Sequence, residues 1–383
     1  MSNTQKKNVP ELRFPGFEGE WEEKKLGDLI KVNSGKDYKH LDKGDIPVYG
    51  TGGYMTSVSE PLSEIDAVGI GRKGTINKPY LLEAPFWTVD TLFYCTPKKE
   101  ADILFILSLF RKINWKLYDE STGVPSLSKQ TINKINRLVP TNKEQQKIGE
   151  FFSKLDRQIE LEEQKLELLQ QQKKCYMQKI FSQELRFKDD NGNDYPEWEE
   201  KKLGELSQIV RGASPRPIKD PKWFNKESDI GWLRISDVTD QNGKIYHLEQ
   251  KLSIEGQEKT RVLLTTHLLL SIAASIGKPV MNFVKTGVHD GFLIFLNPKF
   301  NIFFMYYWLD YFKEKWSKYG QPGSQVNLNS EIVKSQTLNM PSNHEQEKVG
   351  LFFNRNEKLI ELQQEKIMYL KRRKQALIIK IFI

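Results

Sequence analysis

Apolar residues recur with a seven-residue period near the end of each half of this 383-residue chain. Positions 148, 152, 155, 159, 162, 166, 169, 173, 176 and 180 read Ile, Phe, Leu, Ile, Glu, Leu, Leu, Lys, Tyr and Ile. A second series with the same spacing runs from Val349 to Ile381, an offset of 349 − 148 = 201. Polar residues interrupt both series at matching places, 162 with 363 and 173 with 374. These heptad seams predict two long helices.

Each predicted helix has about 40 residues and a length of about 60 Å. Asn142 and Asn343 are the predicted N-caps. Because an apolar stripe on so long a helix must be covered, we expect the helices to pack antiparallel on each other, related by an approximate two-fold axis. Core helices in two separate bundles are the alternative. The residues expected to pair the helices or dock a partner are Ile148, Phe152, Leu155, Ile159, Leu166, Leu169, Val349, Phe353, Ile360, Ile367 and Leu370.

The chain also repeats at its borders. Glu11-Leu-Arg-Phe14 recurs as Glu184-Leu-Arg-Phe187, and Trp21-Glu-Glu-Lys-Lys-Leu-Gly-Asp-Leu29 recurs as Trp198-Glu-Glu-Lys-Lys-Leu-Gly-Glu-Leu206. Further pairs offset by 201 are Pro140 and Pro341, Glu144-Gln145 and Glu345-Gln346, Gly149 and Gly350, and Phe151-Phe152 and Phe352-Phe353. The interiors differ, apart from loose matches such as Asp90 with Asp290. We therefore expect specificity in the interiors and a shared mechanical role at the borders.

The repeat predicts an α+β fold with two variable domains, joined by the two long antiparallel coiled-coil helices. The predicted boundaries are 1–140 and 182–341 for the variable domains, and 141–181 and 342–383 for the helices. Predicted strands are Ile46–Tyr49, Ala67–Ile70, Trp87–Cys95, Gly231–Ile235, Leu268–Ala274 and Gly291–Leu296. Predicted helices within the domains are Ile103–Leu117 and Ile302–Tyr319.

Composition narrows the class of protein. The chain is 38% hydrophobic with a net charge of +8, which fits a globular protein with an anionic partner. It has two distant cysteines and five unclustered histidines, so no disulfide framework, redox motif or metal site is expected. The polar start predicts no secretory signal, and no apolar run is long enough for a membrane span. We expect a cytoplasmic protein.

Several loop residues are candidates for contact with DNA. Gly71-Arg-Lys-Gly-Thr75 places two cations on a glycine-bounded turn, which suits phosphate contact, and side-chain amides can bind adenine edges. The candidates are Tyr49, Thr51, Arg72, Lys73, Thr75, Arg211, Ser214, Arg216, Arg234, Gln325 and Asn327. Charged turns are more often simply solvated, and Asn327 and Asn329 have an alternative role as turn or cap residues. Trp21 and Trp198 are better explained as core anchors where each domain meets the helices.

Motifs that resemble catalytic sites fail on context. Gly69-Ile-Gly71-Arg-Lys-Gly74 matches the dinucleotide-binding pattern, but Pro79 and an extended segment follow where a helix is required. The Glu-x-Lys pairs at Glu23 and Glu200 have no convincing acidic partner upstream. The sequence has no P-loop, GxSxG, HExxH or amino-methyltransferase tetrapeptide. No catalytic residue is therefore predicted, and the chain is expected to act in recognition or assembly.

The doubled order of variable region and helix resembles the specificity subunit of type I restriction–modification enzymes. Trp-Glu-Glu-Lys-Lys-Leu-Gly leading to Ser34-Gly35 or to Arg211-Gly-Ala-Ser-Pro215 is similar to the opening of a target-recognition domain. Pro-x-x-x-Glu-Gln-x-x-Ile/Val-Gly-x-Phe-Phe before a long helix is similar to the spacer of that family. The resemblance covers essentially the whole chain.

The resemblance implies that each variable domain reads one half of a split target in double-stranded DNA. The paired helices would set the gap between the halves and dock two methyltransferase subunits, and motor-nuclease subunits would join them. This chain would bind no cofactor, while S-adenosylmethionine, ATP and Mg²⁺ would be bound by the partners, which methylate a flipped adenine. Two alternatives are a coiled-coil scaffold that binds only proteins and a cryptic DNA-modifying enzyme.

Overall fold

A computed structural model describes residues 8–273, 276–319 and 328–383 of the chain. It divides into two compact units. The first takes in the chain up to Lys165 together with Gln363–Ile383, and the second is Leu166–Leu362. Each unit therefore holds one variable domain and a part of both long helices.

The long helices span Asn142–Phe181 and Asn343–Ile381. The prediction that Asn142 and Asn343 are the N-caps is wrong by one residue. The carbonyls of Thr141 and Ser342 accept from the amides of Gln145 and Gln346 at 2.9 Å, which places the preceding hydroxyl residue at each cap. Neither long helix is apolar enough to cross a membrane, and the same is true of every other helix in the described residues.

The helices pack antiparallel in each unit. In the first unit Gln363 donates to the Glu162 carboxylate at 2.7 Å, while Lys374, further along, pairs with the earlier Asp156. In the second unit, a later residue of one helix again meets an earlier residue of the other. Lys173 lies 3.2 Å from Glu357, and the Tyr176 ring packs on Phe352 at 5.2 Å. Mutual pairing of the helices is confirmed.

The predicted seam is covered along both helices. Buried seam residues are Ile148, Phe152, Leu155, Ile159, Val349, Phe353, Ile367 and Leu370, and half-buried ones are Leu166, Leu169 and Ile360. In the first unit Leu155, Ile159 and Leu370 form a cluster of their own. The polar interruptions are reciprocal as well, since Lys173 faces Glu357 and Lys374 faces Asp156 at positions that are again 201 apart.

The first variable domain has two sheets. The order of the larger sheet is Ile30–Ser34, Leu92–Pro97, Ala67–Gly71 and Tyr80–Leu82, all antiparallel. The order of the smaller is Gly53–Val58, Ile46–Gly50 and Trp87–Thr88, the last pair parallel.

The second variable domain also has two sheets, and the larger one repeats the order of the four strands of the first domain. The order of its larger sheet is Gln208–Arg211, Phe292–Leu296, Leu268–Ser271, Pro279–Asn282 and a parallel fifth strand, Lys244–Ile245. The order of the smaller is Gly231–Leu233, Thr286–Val288 and Arg261–Leu263, the first pair parallel. Each domain also has a two-stranded antiparallel sheet at its border, Glu22–Lys25 with Asn136–Val139 and Glu199–Lys202 with Thr337–Met340. The interiors therefore share the order of four strands in the larger sheet, while the central strand of the smaller sheet is Ile46–Gly50 in the first domain and Thr286–Val288 in the second.

The helices of the domains are shorter than predicted. The α-helices are Ile103–Lys112 and Ile302–Phe312, each continued by 3₁₀ turns, Trp115–Tyr118 and Lys313–Tyr319. The remaining short helices are Leu26–Leu29, Lys129–Lys134, Leu203–Leu206, Ile235–Asp240, Ile254–Glu258, Ser330–Ser335 and the 3₁₀ turn Pro221–Trp223. The predicted helices are too long because the apolar periodicity continues through the 3₁₀ turns, where the hydrogen-bond pattern changes.

Three strand predictions are corrected. Trp87–Cys95 is two strands separated by a turn at residues 89–91, because the carbonyl of Val89 accepts from the amide of Leu92. The strand Gly231–Ile235 ends at Leu233, because the Asp237 carboxylate caps the amide of Arg234 at 2.8 Å and begins a helix there. The strand predicted to end at Ala274 ends at Ser271, and residue 274 lies outside the described residues.

The repeated border residues anchor the start of each long helix. The buried Glu144 carboxylate accepts two hydrogen bonds from Arg13, at 2.8 and 2.7 Å, and Glu345 is held in the same way by Arg186. Trp198 adds a third hydrogen bond to Glu345, at 3.0 Å. Because a buried carboxylate is tolerated only when it is paired, these contacts explain why the borders are repeated as a set.

Candidate nucleic-acid interface

The candidates of the first domain lie on two loops that border one turn. The amide of Val89 donates to the carbonyl of Tyr49 at 3.0 Å, and the Arg72 guanidinium donates to the carbonyl of Asp90 at 3.2 Å. Thr51 lies at the tip of the first loop, and Lys73 and Thr75 follow Arg72 on the second. The structure therefore brings the five candidates to the same edge of the domain.

The backbone of the loop that carries Arg72 and Lys73 is held by hydrogen bonds, and its two cationic side chains are exposed. The Arg72 carbonyl accepts from the amide of Leu127 at 2.9 Å, and the Gly74 amide donates to the carbonyl of Pro125 at 2.8 Å. Both cationic side chains are exposed, and neither has a carboxylate partner among the described residues. A rigid turn with two unpaired cations has the geometry that phosphate and guanine contacts need.

The hairpin beside this loop carries aromatic residues. The Tyr49 ring lies 6.4 Å from Tyr54 and 6.1 Å from Tyr80, whose hydroxyl donates to the carbonyl of Gly50 at 2.6 Å. Burial raises the pKa of Tyr80, so this hydroxyl keeps its proton. Tyr54 and Met55 are 64% and 53% exposed at the hairpin, and neither is among the predicted contact residues. Their exposure on a glycine-rich hairpin could not be read from periodicity.

In the second domain three candidates converge on Asp290. The Arg211 Nε donates to the Asp290 carbonyl at 2.6 Å. The Ser214 hydroxyl donates to Oδ1 of the carboxylate at 2.6 Å, and Arg216 Nη2 donates to Oδ2 at 2.8 Å. The Ser214 hydrogen bond, followed by the charge of Arg216, lowers the pKa of Asp290 below its ordinary value.

The turns at Asp90 and Asp290 are equivalent in the two domains. A Cβ atom on Gly35 would lie 2.0 Å from the carbonyl oxygen of Val89, and one on Gly212 would lie 2.1 Å from that of His289. Only glycine permits this approach. In both domains an arginine then covers the carbonyl of the aspartate, but Arg72 and Arg211 come from different strands. The match of Asp90 with Asp290 was the sequence signal for this shared turn.

Of the remaining candidates, Arg234 is paired with carboxylates other than Asp290. Arg234 forms an ion pair with Asp237, with Nη2 at 2.6 Å from Oδ1, and its second carboxylate neighbour is Glu249 at 3.7 Å. Gln325 and Asn327 lie outside the described residues. Asn329 caps a helix by accepting from the amides of Glu331 and Ile332, which is the structural role considered for it. Trp21 and Trp198 are buried in the cores, as predicted.

The long helices expose a repeated set of apolar residues outside their seam. Leu161 and its equivalent Leu362 are both 48% exposed, and Leu168 and its equivalent Tyr369 are 65% and 62% exposed. Each pair is 201 residues apart, as are the seam residues. Matched exposed apolar residues are typical of a surface that contacts another protein. No group of three or more His, Cys, Asp and Glu side chains in the described residues could hold a metal ion.

Comparison with known proteins gives a family. The family model described as "Type I restriction modification DNA specificity domain" matches residues 18–171 and 195–372, one match for each half. The type I restriction enzyme MjaVIII specificity subunit of Methanocaldococcus jannaschii is 24% identical over 325 residues, which are 79% of this chain and 72% of that protein.

Solved structures share the fold. The S subunit of a type I restriction–modification system from M. genitalium aligns with a TM-score of 0.66 at 14% identity, covering 98% of this chain and 99% of that one. A chain from a study of complex assembly and conformational transition of the type I R-M system aligns with a TM-score of 0.58 at 15% identity, covering 96% and 97%. Both likenesses concern the fold with its repeat and long helices.

Proposed function

The chain belongs to the family of type I restriction–modification DNA specificity domains, and we propose that each variable domain reads one half of a split DNA target. The observation that carries this proposal is the shared turn at Asp90 and Asp290. The same scaffold presents arginines from different chain positions, so the two domains offer DNA the same framework with different contacts. Two unlike half-sites are the expected result.

The two loops of the first domain would act together on the DNA. Arg72 is positioned by the Asp90 carbonyl and retains guanidinium donors for a guanine edge, while Lys73 is a flexible point charge suited to a phosphate. The exposed Tyr54 and Met55 would lie against the bases or sugars that border the contact. In the second domain Arg211, Ser214 and Arg216 would take the corresponding place.

The chain would act through partners rather than by its own chemistry. The repeated exposed residues Leu161, Leu168, Leu362 and Tyr369 suit two copies of one partner, because exposed apolar residues occur at equivalent positions in each half. We assign those partners as two methyltransferase subunits, with motor-nuclease subunits joining the complex in the cytoplasm. S-adenosylmethionine, ATP and Mg²⁺ would belong to the partners, and the long helices would set the gap between half-sites.

The test is to co-express the chain with a compatible methyltransferase subunit and to map N6-methyladenine across the host genome. A motif of two short unlike halves with a constant gap is the expected result. A matched variant with one heptad inserted into each long helix should alter the gap and leave both halves unchanged. A stable complex that methylates nothing would reject the proposal in favour of a protein scaffold, and DNA modification by the purified chain alone would reject it in favour of an enzyme.

A further inference from the structure

We propose that Asp290 is a positioning residue for the second half-site, which holds Arg211 and Arg216 in the orientation in which they meet DNA and restrains Arg216 from binding phosphates of any sequence. This inference rests on the proposed function and deepens it. It assigns a role to a carboxylate in a surface that otherwise presents cations.

The contacts of Asp290 reach three side chains through separate atoms. Its carbonyl accepts from Arg211 at 2.6 Å, Oδ1 accepts from Ser214 at 2.6 Å, and Oδ2 accepts from Arg216 at 2.8 Å. Ser214 also accepts from the amide of Asp290 at 3.2 Å, so the two residues are bonded reciprocally. Each of these three acceptor oxygens of Asp290 has its own donor. A change in the carboxylate therefore leaves the Arg211 contact to the carbonyl in place.

The turn that carries Asp290 is itself held rigidly. The amide of Gly291 donates to the ring nitrogen of His289 at 2.8 Å, and the amide of Gly212 donates to the carbonyl of Phe292 at 2.9 Å. Arg261 donates to the carbonyl of Arg211 at 2.6 Å and closes the cluster from the other side. Because the lowered pKa keeps the carboxylate charged at neutral pH, its bond to Arg216 persists under ordinary conditions.

Arg216 remains available to DNA while it is bound to Asp290. Its side chain is 70% exposed, and one of its five N–H donors is used in the ion pair. A guanidinium held by one edge loses little freedom when its other edge meets a base, which favours the correct contact. The neighbouring carboxylate repels phosphates, so an approach of the backbone alone is disfavoured. Asp290 would thus raise discrimination while lowering affinity for non-target DNA.

The equivalent turn of the first domain shows the same carbonyl contact without the ion pair. Asp90 occupies the equivalent turn, but Arg72 binds only its carbonyl, at 3.2 Å, and the Asp90 side chain is exposed. In the described residues no cation lies within 4.0 Å of the Asp90 carboxylate. Among the described residues, the carboxylate at this turn therefore restrains a cation in the second domain and none in the first.

The experiment compares Asp290→Asn with Asp190→Asn, which removes an exposed ion pair with Lys348 outside the candidate interface, in the full chain with its methyltransferase partner. Binding to target and shuffled duplexes is measured by anisotropy at several salt concentrations, and the methylated motif is mapped. For Asp290→Asn we expect tighter binding to shuffled DNA, a salt slope steeper by about 0.9 and at least about a tenfold loss of discrimination. The motif should relax in the second half only, and Asp190→Asn should match the unchanged chain.

A second variant separates positioning from mere stability. In an Arg216→Gln background, Asp290→Asn should no longer change the salt slope, because the restrained cation is gone. If Asp290→Asn weakens binding to both duplexes equally, or if its effect persists in the Arg216→Gln background, Asp290 is only structural and the inference is overturned. If the unchanged chain shows no target preference, the proposed function fails as well. Clear preference without an Asp290→Asn effect rejects the inference alone.

Discussion

Trp21 and Trp198 occupy equivalent places in the repeat but differ by one hydrogen bond. Trp198 Nε1 donates to the buried Glu345 carboxylate at 3.0 Å. Trp21 Nε1 is buried as well and has no hydrogen-bond partner among the described residues. Both indole rings are buried, at 9% and 2% exposure, in the core where a long helix begins. We therefore expect Trp198→Phe to destabilise its unit more than Trp21→Phe destabilises its own.

The expected difference in stability between the two variants follows from the groups that each substitution removes. Both variants lose the same ring atoms from a buried position, so the cavity cost is similar and cancels in the comparison. Only Trp198→Phe also removes a hydrogen bond to a charged group, which contributes about 1.5–3 kcal/mol. Trp21→Phe removes an unpaired N–H, and no hydrogen bond is lost. The difference between the two free-energy changes should therefore be at least about 1.5 kcal/mol.

Hydrogen exchange at the start of each long helix measures this difference within the full chain. The amides of residues 145–152 report on Trp21→Phe, and those of residues 346–353 report on Trp198→Phe. At about 1.4 kcal/mol per tenfold, protection in the second segment should fall at least about ten times more than protection in the first. Equal losses, or a larger loss for Trp21→Phe, would refute the assignment of the Glu345 hydrogen bond as stabilising.

Three further outcomes are expected. Arg72→Ala should cost about 1–3 kcal/mol of target binding and relax one base position, whereas Lys73→Ala should reduce the salt slope by about one without relaxing the motif. Gly149→Ala places a Cβ atom 2.5 Å from a carboxylate oxygen and should lower the melting temperature, while Gly350→Ala, with its nearest atom at 3.0 Å, should change it less. Two lysines lower the pKa of Glu357 below its ordinary 4.5 against the opposing effect of burial, so its stabilisation is complete above pH 4.5 and lost as the pH falls through the lower folded value. Urea unfolding of Glu357→Gln should show a weaker loss of stability on acidification, and an unchanged pH profile would contradict the ion pair.

The long helices and their pairing could be predicted because the same heptad pattern occurs in both halves of the sequence. A heptad seam is a local pattern, and the matched interruptions at 173 and 374 signalled a common environment. The structure adds that each lysine faces a carboxylate of the other helix, Glu357 or Asp156. These carboxylates lie outside the seam positions, so periodicity could not identify them as partners.

The candidate interface was less accessible to sequence reasoning for a physical reason. Arg211 and Asp290 meet across 79 residues, and no periodicity relates residues so far apart. The loops were recognised by their glycines and cations, which is local chemistry. The role of Asp290 as their shared contact could not be recognised in this way. It depends on the strand order that brings the turn at Asp290 beside the end of Gln208–Arg211.

The interiors show which positions a repeated scaffold must keep. Four strands of the larger sheet have the same order in both domains, although few residues match between them. Gly35 and Gly212 are kept because a Cβ atom would collide with a carbonyl at about 2 Å, and no other residue permits that approach. The arginines that cover Asp90 and Asp290 have no such constraint, since any strand end near the turn can supply one. A scaffold fixed by backbone approach, with its cations free to enter from several points, can change its DNA contacts without changing its fold.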